Sequence, residues 1–234
     1  FKIKENPELR DAAYVRLNVE GYGGMIMSTW LDRPLSAAGR IIVSENGKLV
    51  SKLVNLDRTT LVIPSVAIHM NRTANGGHAW NIQQDLLPLY GTADDSLSFM
   101  DAVAAAAQVA PENILGHDLY LYSRIEGTLW GERHEFISSA RLDDLQCAFA
   151  AFRGFTAGKR EKHICVYALF DNEEVGSATN QGAGATFLKN TLTRISRSLG
   201  YSYDETQAMI ARSFMISADN GHAPYGTIGG TYEA

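Results

Sequence analysis

The feature of this sequence that most constrains its fold is an apolar run that ends in two adjacent glutamates. The run Ile164–Phe170 has the continuous hydrophobicity typical of a strand that is covered on both faces of a sheet. Successive side chains of a strand point to opposite faces, so one of Glu173 and Glu174 can bind a metal ion while the other holds a water. Two buried neighbouring anions are costly unless a cation or an arginine compensates them. A solvated acidic turn is the alternative interpretation, and for two adjacent glutamates alone it is the favoured one. The rest of the sequence favours a metal site instead.

The composition is that of a soluble globular protein. The 234 residues, 45% hydrophobic and 20% charged, suffice for a large core and for two domains. The formal net charge of -5, without a basic cluster, argues against nucleic acid or an anionic membrane as the main partner. No apolar stretch reaches membrane-spanning length, and we expect no signal peptide. Cys147 and Cys165 lie in apolar runs and are interpreted as reduced core thiols, which suits a cytoplasmic location.

Patterns typical of strands and turns dominate the chain up to about Ser123. Alternation of Ala13, Val15, Leu17 and Val19 with polar residues predicts a half-buried strand. Other predicted elements are a hairpin turn at Asn46-Gly47, an apolar strand over Leu61–Met70, a helix over Ser96–Val109 and a strand over Asp118–Ser123.

From Phe136 onwards the patterns alternate between helix and strand. Leu142, Leu145, Phe149 and Phe152 recur at helical spacing, which places Asp143 and Asp144 in the first turn of a helix. The later predicted elements are a helix over Leu188–Leu199, a helix opened by a capping box at Ser202–Glu205 and a strand over Phe214–Ala218. Alternating strands and helices predict an α/β fold with a parallel or mixed sheet.

Acidic residues follow the predicted strands or open a helix at three places. Glu173 and Glu174 follow one strand, Asp219 follows another, and Asp143 opens a helix. Ligands of α/β sheets bind beyond the carboxyl ends of the strands, and carboxylates suit hard or borderline cations. Taken singly, Asp219 is more often a turn residue at the end of a strand, and Asp143 is more often a helix cap, than either is a metal ligand. Spacing alone does not show that these residues converge.

Three motifs resemble those of the aspartyl aminopeptidase family, which are cytosolic metallo-aminopeptidases with two zinc ions. The motifs read SARLDDL at 139–145, FDNEEVGS at 170–177 and SADNGHA at 217–223. The upstream half is similar too, and the resemblance extends from Phe1 to about Ala223. Its further segments are YGG at 22–24, TWLDR at 29–33, AGR at 38–40, IPSVAIHMNR at 63–72 and NIQ at 81–83.

The resemblance implies a role for five residues. Asp143 resembles the aspartate that bridges the two metal ions, and Glu174 and Asp219 resemble one ligand for each ion. Glu173 resembles the general base that takes a proton from the metal-bound water and returns it to the leaving amine. His69 resembles the histidine that reaches into a neighbouring subunit's active site and steadies the tetrahedral intermediate. No residue identifies itself as the substrate side-chain pocket.

The resemblance also implies a domain organisation. Residues 6–131 would form an inserted strand-rich domain for dimerisation and assembly. Residues 132–223, together with 1–5, would form part of a zinc-peptidase domain with helices on the faces of its sheet. Residues 224–234 lie outside the resemblance.

The implied function is metal-dependent removal of N-terminal residues from peptides, with a preference for Asp or Glu. The implied cofactor is zinc, two ions per site, with manganese or cobalt as alternatives. Peptide substrates and copies of the same chain are the implied partners, in a dimer or a tetrahedral dodecamer, and neither nucleic acid nor a membrane is expected. The implied location is the cytoplasm.

Two histidine ligands of the family have no counterpart in this sequence. One belongs to a His-x-Asp motif expected just upstream of Phe1, and the other is expected near a more distant C-terminus. Three carboxylates without an imidazole should bind two zinc ions poorly. A catalytically incomplete fragment that folds and oligomerises is therefore the alternative function, and another dinuclear hydrolase such as a deacylase is a third.

His222 is unassigned, and the other histidines are interpreted as surface or structural residues: His78, His117, His134 and His163.

Overall fold

The computed structural model describes residues 1–94, 96–159 and 161–221. The chain divides into two compact units, Phe1–Ser138 and Ser139–Ala234. His222 and the segment 224–234 lie outside the described residues. The domain boundaries implied by the resemblance, 6–131 and 132–223, stay predictions.

A six-stranded sheet organises the first unit. Its strand order is β4-β3-β6-β1-β2-β5, and every pair of neighbouring strands is antiparallel. The chain as a whole is mixed α/β, as predicted, but this main sheet is antiparallel. The strands are β1 Lys2–Arg10, β2 Tyr14–Glu20, β3 Leu35–Glu45, β4 Lys48–Asn55, β5 Leu89–Thr92 and β6 Ile114–Ser123.

The predicted hairpin turn is confirmed, and the predicted alternation is confirmed over Val15–Val19, whereas Ala13 is exposed and precedes β2. Val15, Leu17 and Val19 of β2 are fully buried, because alternate side chains of the strand face the core. The turn between β3 and β4 has positive φ at both central residues, 51° at Asn46 and 75° at Gly47. Those angles are typical of a type I′ turn, whose twist matches that of the flanking strands.

Residues 61–63 connect strand β3 to the edge strand β5. Leu35 N donates to Leu61 O at 2.9 Å, and Leu89 N donates to Val62 O at 2.7 Å. The segment therefore bonds to both β3 and β5, which closes the sheet into a barrel-like ring. The predicted strand over Leu61–Met70 is wrong beyond Ile63, because Pro64 has no N–H to continue the ladder and the chain leaves the sheet there.

Two short helices and a small hairpin complete the first unit. Helix α1 spans Ile82–Asp85 and helix α2 spans Phe99–Ala107, with Phe99 and Val103 buried in the core. The side chain of Ser98 accepts a hydrogen bond from Asp101 N and caps α2. The remaining elements are 3₁₀ turns at Met27–Trp30, Ala74–Gly76 and Pro111–Asn113, and a hairpin of β7 Thr128–Trp130 and β8 Phe136–Ser138.

Three helices form the frame of the second unit. They are α3 Leu142–Ala157, α4 Phe187–Ser198 and α5 Tyr203–Ala211. The predicted capping box opens α5, where Ser202 and Glu205 exchange both of its hydrogen bonds. A buried hydrogen bond of 2.8 Å between Ser196 and Thr206 joins α4 to α5.

The two strands predicted in the second unit are absent from its described residues. Ile164–Phe170 and Phe214–Ala218 carry no strand pairing, and Ile164 and Phe214 are 76% and 87% exposed. A strand forms only where a neighbouring strand supplies hydrogen-bond partners, and residues 139–159 and 161–221 contain no such neighbour. Within the run, Tyr167 packs on α3, where its hydroxyl donates to Ala148 O at 2.9 Å.

Both cysteines are free, and their surroundings differ from the prediction. Cys147 is partly buried, whereas Cys165 is exposed. The interpretation of Cys165 as a core thiol is therefore wrong, because the run that contains it is not buried. Within the described residues, no helix combines the length and the apolar character needed to cross a membrane.

Substitution of a core leucine should destabilise the first unit far more than substitution of an exposed one. We expect Leu17→Ala to lower the free energy of unfolding by about 2–5 kcal/mol, because it leaves a cavity. Leu53→Ala is the matched control, since Leu53 is 85% exposed, and should change it by no more than about 0.5 kcal/mol. Urea unfolding followed by tryptophan fluorescence measures this, because Trp30, Trp80 and Trp130 all lie in the first unit. Equal effects of the two substitutions would contradict the assigned core.

Candidate metal centre

Three carboxylates meet in the second unit. One oxygen from each of Asp143, Asp144 and Asp219 lies within 4.8 Å of the other two. The structure therefore brings together two of the predicted metal ligands, Asp143 and Asp219, and adds Asp144 to them. Asp144 belongs to the same sequence motif as Asp143, and this adjacency is the signal that could have identified it.

An irregular turn at the start of α3 presents two of these carboxylates. Arg141 has left-handed backbone angles, φ 60° and ψ 28°. Asp143 (φ -84°, ψ 115°) and Asp144 (φ -114°, ψ 28°) are not helical, and the peptide bond between them is cis. The prediction that both aspartates lie in the first turn of the helix is confirmed, but their backbone angles are not helical, and the regular helical geometry begins after them.

Asn220 fastens the segment that contains Asp219 to the start of α3. Its side-chain amide donates to Leu142 O at 2.7 Å, and its backbone N–H donates to the Asp219 carboxylate at 2.7 Å. Its side-chain oxygen accepts a hydrogen bond from the Cys147 thiol at 3.3 Å. The bonds of Asn220 to Leu142 and Cys147 connect residues more than seventy positions apart, so sequence spacing could not reveal them.

The electrostatics of the group favour a bound cation. Oδ1 of Asp144 is buried and has no hydrogen-bond donor among the described residues. A buried carboxylate oxygen without a partner is costly, and three adjacent carboxylates repel one another. Burial, followed by the nearby carboxylates of Asp144, Asp219 and Asp143, raises the pKa of the Cys147 thiol. The thiol is therefore neutral near pH 7 and does not add to the negative charge.

The donor set suits a divalent cation. Carboxylate oxygens bind magnesium, calcium and manganese and are also accepted by zinc, which usually takes histidine or cysteine as well. Within the described residues the group contains aspartates alone.

Glu173 and Glu174 are exposed and lie in a tightly hydrogen-bonded turn. Gly176 N donates to Glu173 O at 2.8 Å, and Asp171 N donates to Gln181 O at 3.1 Å. The turn requires a glycine at 182, because a Cβ there would lie 2.2 Å from Ser177 O. Neither glutamate belongs to the group of three aspartates, and their predicted roles stay predictions.

His69 belongs to the first unit, where it is exposed on the segment between Ile63 and α1. Its apolar neighbours Val66, Ile68 and Met70 are also exposed, at 64%, 49% and 82%. This short segment thus presents a histidine among apolar side chains on the surface of its unit.

Comparison with known proteins identifies a family over nearly the whole chain. The model of a family described as aminopeptidase I zinc metalloprotease (M18) matches residues 1–233. A probable M18 family aminopeptidase 2 of Clostridium acetobutylicum is 44% identical over 230 residues, which cover 95% of this chain and 53% of that protein. The corresponding protein of Ectopseudomonas mendocina is 36% identical over 228 residues, covering 95% and 52%. The chain thus spans about half the length of the curated relatives that it matches.

Solved structures share the fold. The crystal structure of prApe1 has a TM-score of 0.82 at 28% identity and covers 96% of this chain and 52% of that one. The structure of Chaetomium thermophilum mApe1 has a TM-score of 0.74 at 30% identity, covering 86% and 51%. The S. cerevisiae mApe1 dodecamer has a TM-score of 0.66 at 28% identity, covering 84% and 46%.

Removal of one carboxylate from the group should weaken metal binding. We expect Asp219→Asn to raise the Kd for Mn²⁺ by about tenfold or more, since even residues that only orient a metal ligand contribute that factor. Titration followed by electron paramagnetic resonance of free Mn²⁺ measures the change.

Asp204→Asn is the matched control, because Asp204 is an exposed aspartate in the first turn of α5 and lies outside the group. Equal affinities of the Asp219→Asn variant and the unmodified chain would show that the three aspartates do not form a metal site.

Proposed function

Because this chain belongs to the M18 family of aminopeptidase I zinc metalloproteases, we propose that it is a metal-dependent aminopeptidase that removes N-terminal residues from peptides. The observation that carries the proposal is the approach of Asp143, Asp144 and Asp219 to within 4.8 Å of one another. Grouped carboxylates are suitable ligands for a cation, and the family to which the chain belongs is described as zinc metalloproteases. The family description supports zinc as that cation.

Each residue of the site has a distinct proposed role. Asp143 would be the ligand shared by two metal ions, and Asp219 and Glu174 would each be a ligand of one. Bound zinc would supply Lewis acidity and make a water molecule more acidic. Glu173 would act as the general base for that water and would return the proton to the leaving amine, which a neutral peptide nitrogen needs in order to depart. The Asp144 carboxylate adds negative charge that favours the cations.

The proposed substrates are peptides with a free α-amine, and an N-terminal Asp or Glu is preferred. The preference follows from the resemblance of the motifs to those of aspartyl aminopeptidases. A free α-amine separates this reaction from that of a deacylase, whose substrates carry an acylated amine.

The proposed assembly is a homo-oligomer in which His69 acts in a neighbouring subunit's site. Its exposed apolar neighbours Val66, Ile68 and Met70 support this assembly, because such side chains are expected to be covered by a partner. The S. cerevisiae mApe1 structure, which shares the fold, is a dodecamer. In that arrangement His69 donates a hydrogen bond to the oxyanion that develops on the peptide carbonyl.

Glutamine in place of the proposed base should separate catalysis from metal binding. We expect Glu173→Gln to lower turnover of Asp- and Leu-anilide substrates by about a hundredfold or more, because the proton acceptor is removed. Its metal content, measured by elemental mass spectrometry after dialysis, should stay unchanged. Glu161→Gln, an exposed glutamate of the same unit, is the matched control and should keep full turnover.

The same measurements distinguish the alternatives. Two metal ions per chain with cleavage of Asp- or Leu-anilides support the aminopeptidase. Cleavage only of substrates with a blocked amine would identify a deacylase. Little metal and no cleavage would identify a catalytically incomplete fragment and overturn the proposal.

A further inference from the structure

The segment that carries His69 is clamped at its beginning by Asp32. Ser65 donates two hydrogen bonds to this carboxylate, from its backbone N–H at 2.8 Å and from its hydroxyl at 2.6 Å. These bonds hold the pKa of Asp32 below its usual value. The backbone N–H of Asp32 in turn donates to Ile63 O at 2.9 Å. The segment therefore leaves the barrel at a fixed point.

A second aspartate clamps the end of the same segment. Asp85, the last residue of α1, accepts a hydrogen bond from Asn81 N at 2.8 Å. The side chain of Asn81 accepts from Gln83 N at 2.9 Å and caps the helix. Both ends of the stretch 65–81 are thus held by carboxylates, while His69 lies between them.

His78 connects the middle of this stretch to α1. Its Nδ1 lies 3.3 Å from the side-chain nitrogen of Asn71, and its Nε2 lies 3.4 Å from Oδ2 of Asp85. The ring also contacts Trp80 edge to face, with ring centroids 4.5 Å apart. One histidine side chain therefore joins a residue two positions after His69 to the helix that ends the segment.

The hydrogen-bond partners define the tautomer of His78. Oδ1 of Asn71 accepts from the Thr73 hydroxyl at 3.4 Å, so the Asn71 amide nitrogen faces the ring as a donor. Nδ1 of His78 must then be the acceptor, and the proton is on Nε2, where it is donated to Asp85. The neutral Nε2–H tautomer satisfies the whole chain of groups from Thr73 to Asp85.

We propose that His78 is a positioning residue that holds the segment 65–81 so that His69 is presented in one orientation. The proposal rests on the function proposed above for His69. Without His78 the segment keeps its clamps at Ser65 and Asn81 but loses the side-chain connection from Asn71 to Asp85. With His78 the part that carries His69 is closed at Asn71, and a shorter closed segment has fewer conformations. The segment then loses its conformational entropy when the chain folds, so less entropy is lost when His69 is oriented during catalysis.

The experiment compares His78→Ala and His78→Gln with the unmodified 234-residue chain. Glutamine can accept from Asn71 and donate to Asp85, so it restores both hydrogen bonds without the ring. Hydrogen exchange of the Met70, Asn71 and Ala74 amides reports the order of the segment, because each donates within it. Alanine should speed their exchange by about fivefold, the factor that one ordinary hydrogen bond contributes, and glutamine should restore most of it.

Two controls separate a local effect from general destabilisation. Exchange in the β3–β4 hairpin should stay unchanged in every variant. His163→Ala removes an exposed histidine of the second unit and should leave the 65–81 segment unchanged. Long-range ¹H–¹⁵N spectra of the unmodified chain should show the proton of His78 on Nε2.

Activity then tests the catalytic part of the proposal. His78→Ala should lower kcat by about tenfold with little change in KM, because a misplaced His69 weakens only contacts made in the transition state. Unchanged exchange in the alanine variant, a proton on Nδ1, or a looser segment with full kcat would each overturn the proposal. A chain without any turnover would overturn the proposed function instead, and hydrogen exchange would still decide whether His78 holds the segment.

Discussion

The backbone hydrogen bonds of residues 61–63 are the interaction on which the first unit depends. They join β3 to β5, and this closure converts an open antiparallel sheet into a ring around a dry core. The same three residues set the point from which the His69 segment departs, because Pro64 follows at once and cannot extend the ladder. Core packing and the position of the segment that carries His69 are thus determined by the same short stretch. Asp32 reinforces the link, since it bonds both to Ile63 and to Ser65.

Repulsion among like charges governs the second unit's site. Three carboxylates are held together there, with one oxygen of each within 4.8 Å of the other two. Asn220 makes this possible, because one amide side chain ties the Asp219 segment to the carbonyl of Leu142. Burial, followed by the carboxylates of Asp144, Asp219 and Asp143, raises the pKa of the Cys147 thiol. A bound cation would offset the repulsion between these adjacent carboxylates. The match to a family of zinc metalloproteases agrees with this chemistry.

Local sequence patterns correctly predicted elements whose hydrogen bonds are made between residues close together in the sequence. The Asn46-Gly47 turn and the capping box at Ser202 form as expected, because their hydrogen bonds close within a few residues. The alternation of β2 also forms over Val15–Val19, although its partner strands β1 and β5 lie elsewhere in the chain. The two strands predicted in the second unit, which depend on distant partners, were wrong. Ile164–Phe170 is apolar enough for a buried strand, yet no described strand pairs with it. The same cause exposes Cys165, which shares its surroundings.

By itself, the sequence determined the family and named two members of the carboxylate group, Asp143 and Asp219. It could do so because motifs preserve the order and type of functional residues. Only the tertiary structure decided that these two converge, that Asp144 joins them, and that His78 connects Asn71 to Asp85. Such contacts are made through space between side chains whose separation along the chain is set by the intervening fold. The number of residues between two positions does not give their distance in space, because that distance depends on the fold of the backbone between them.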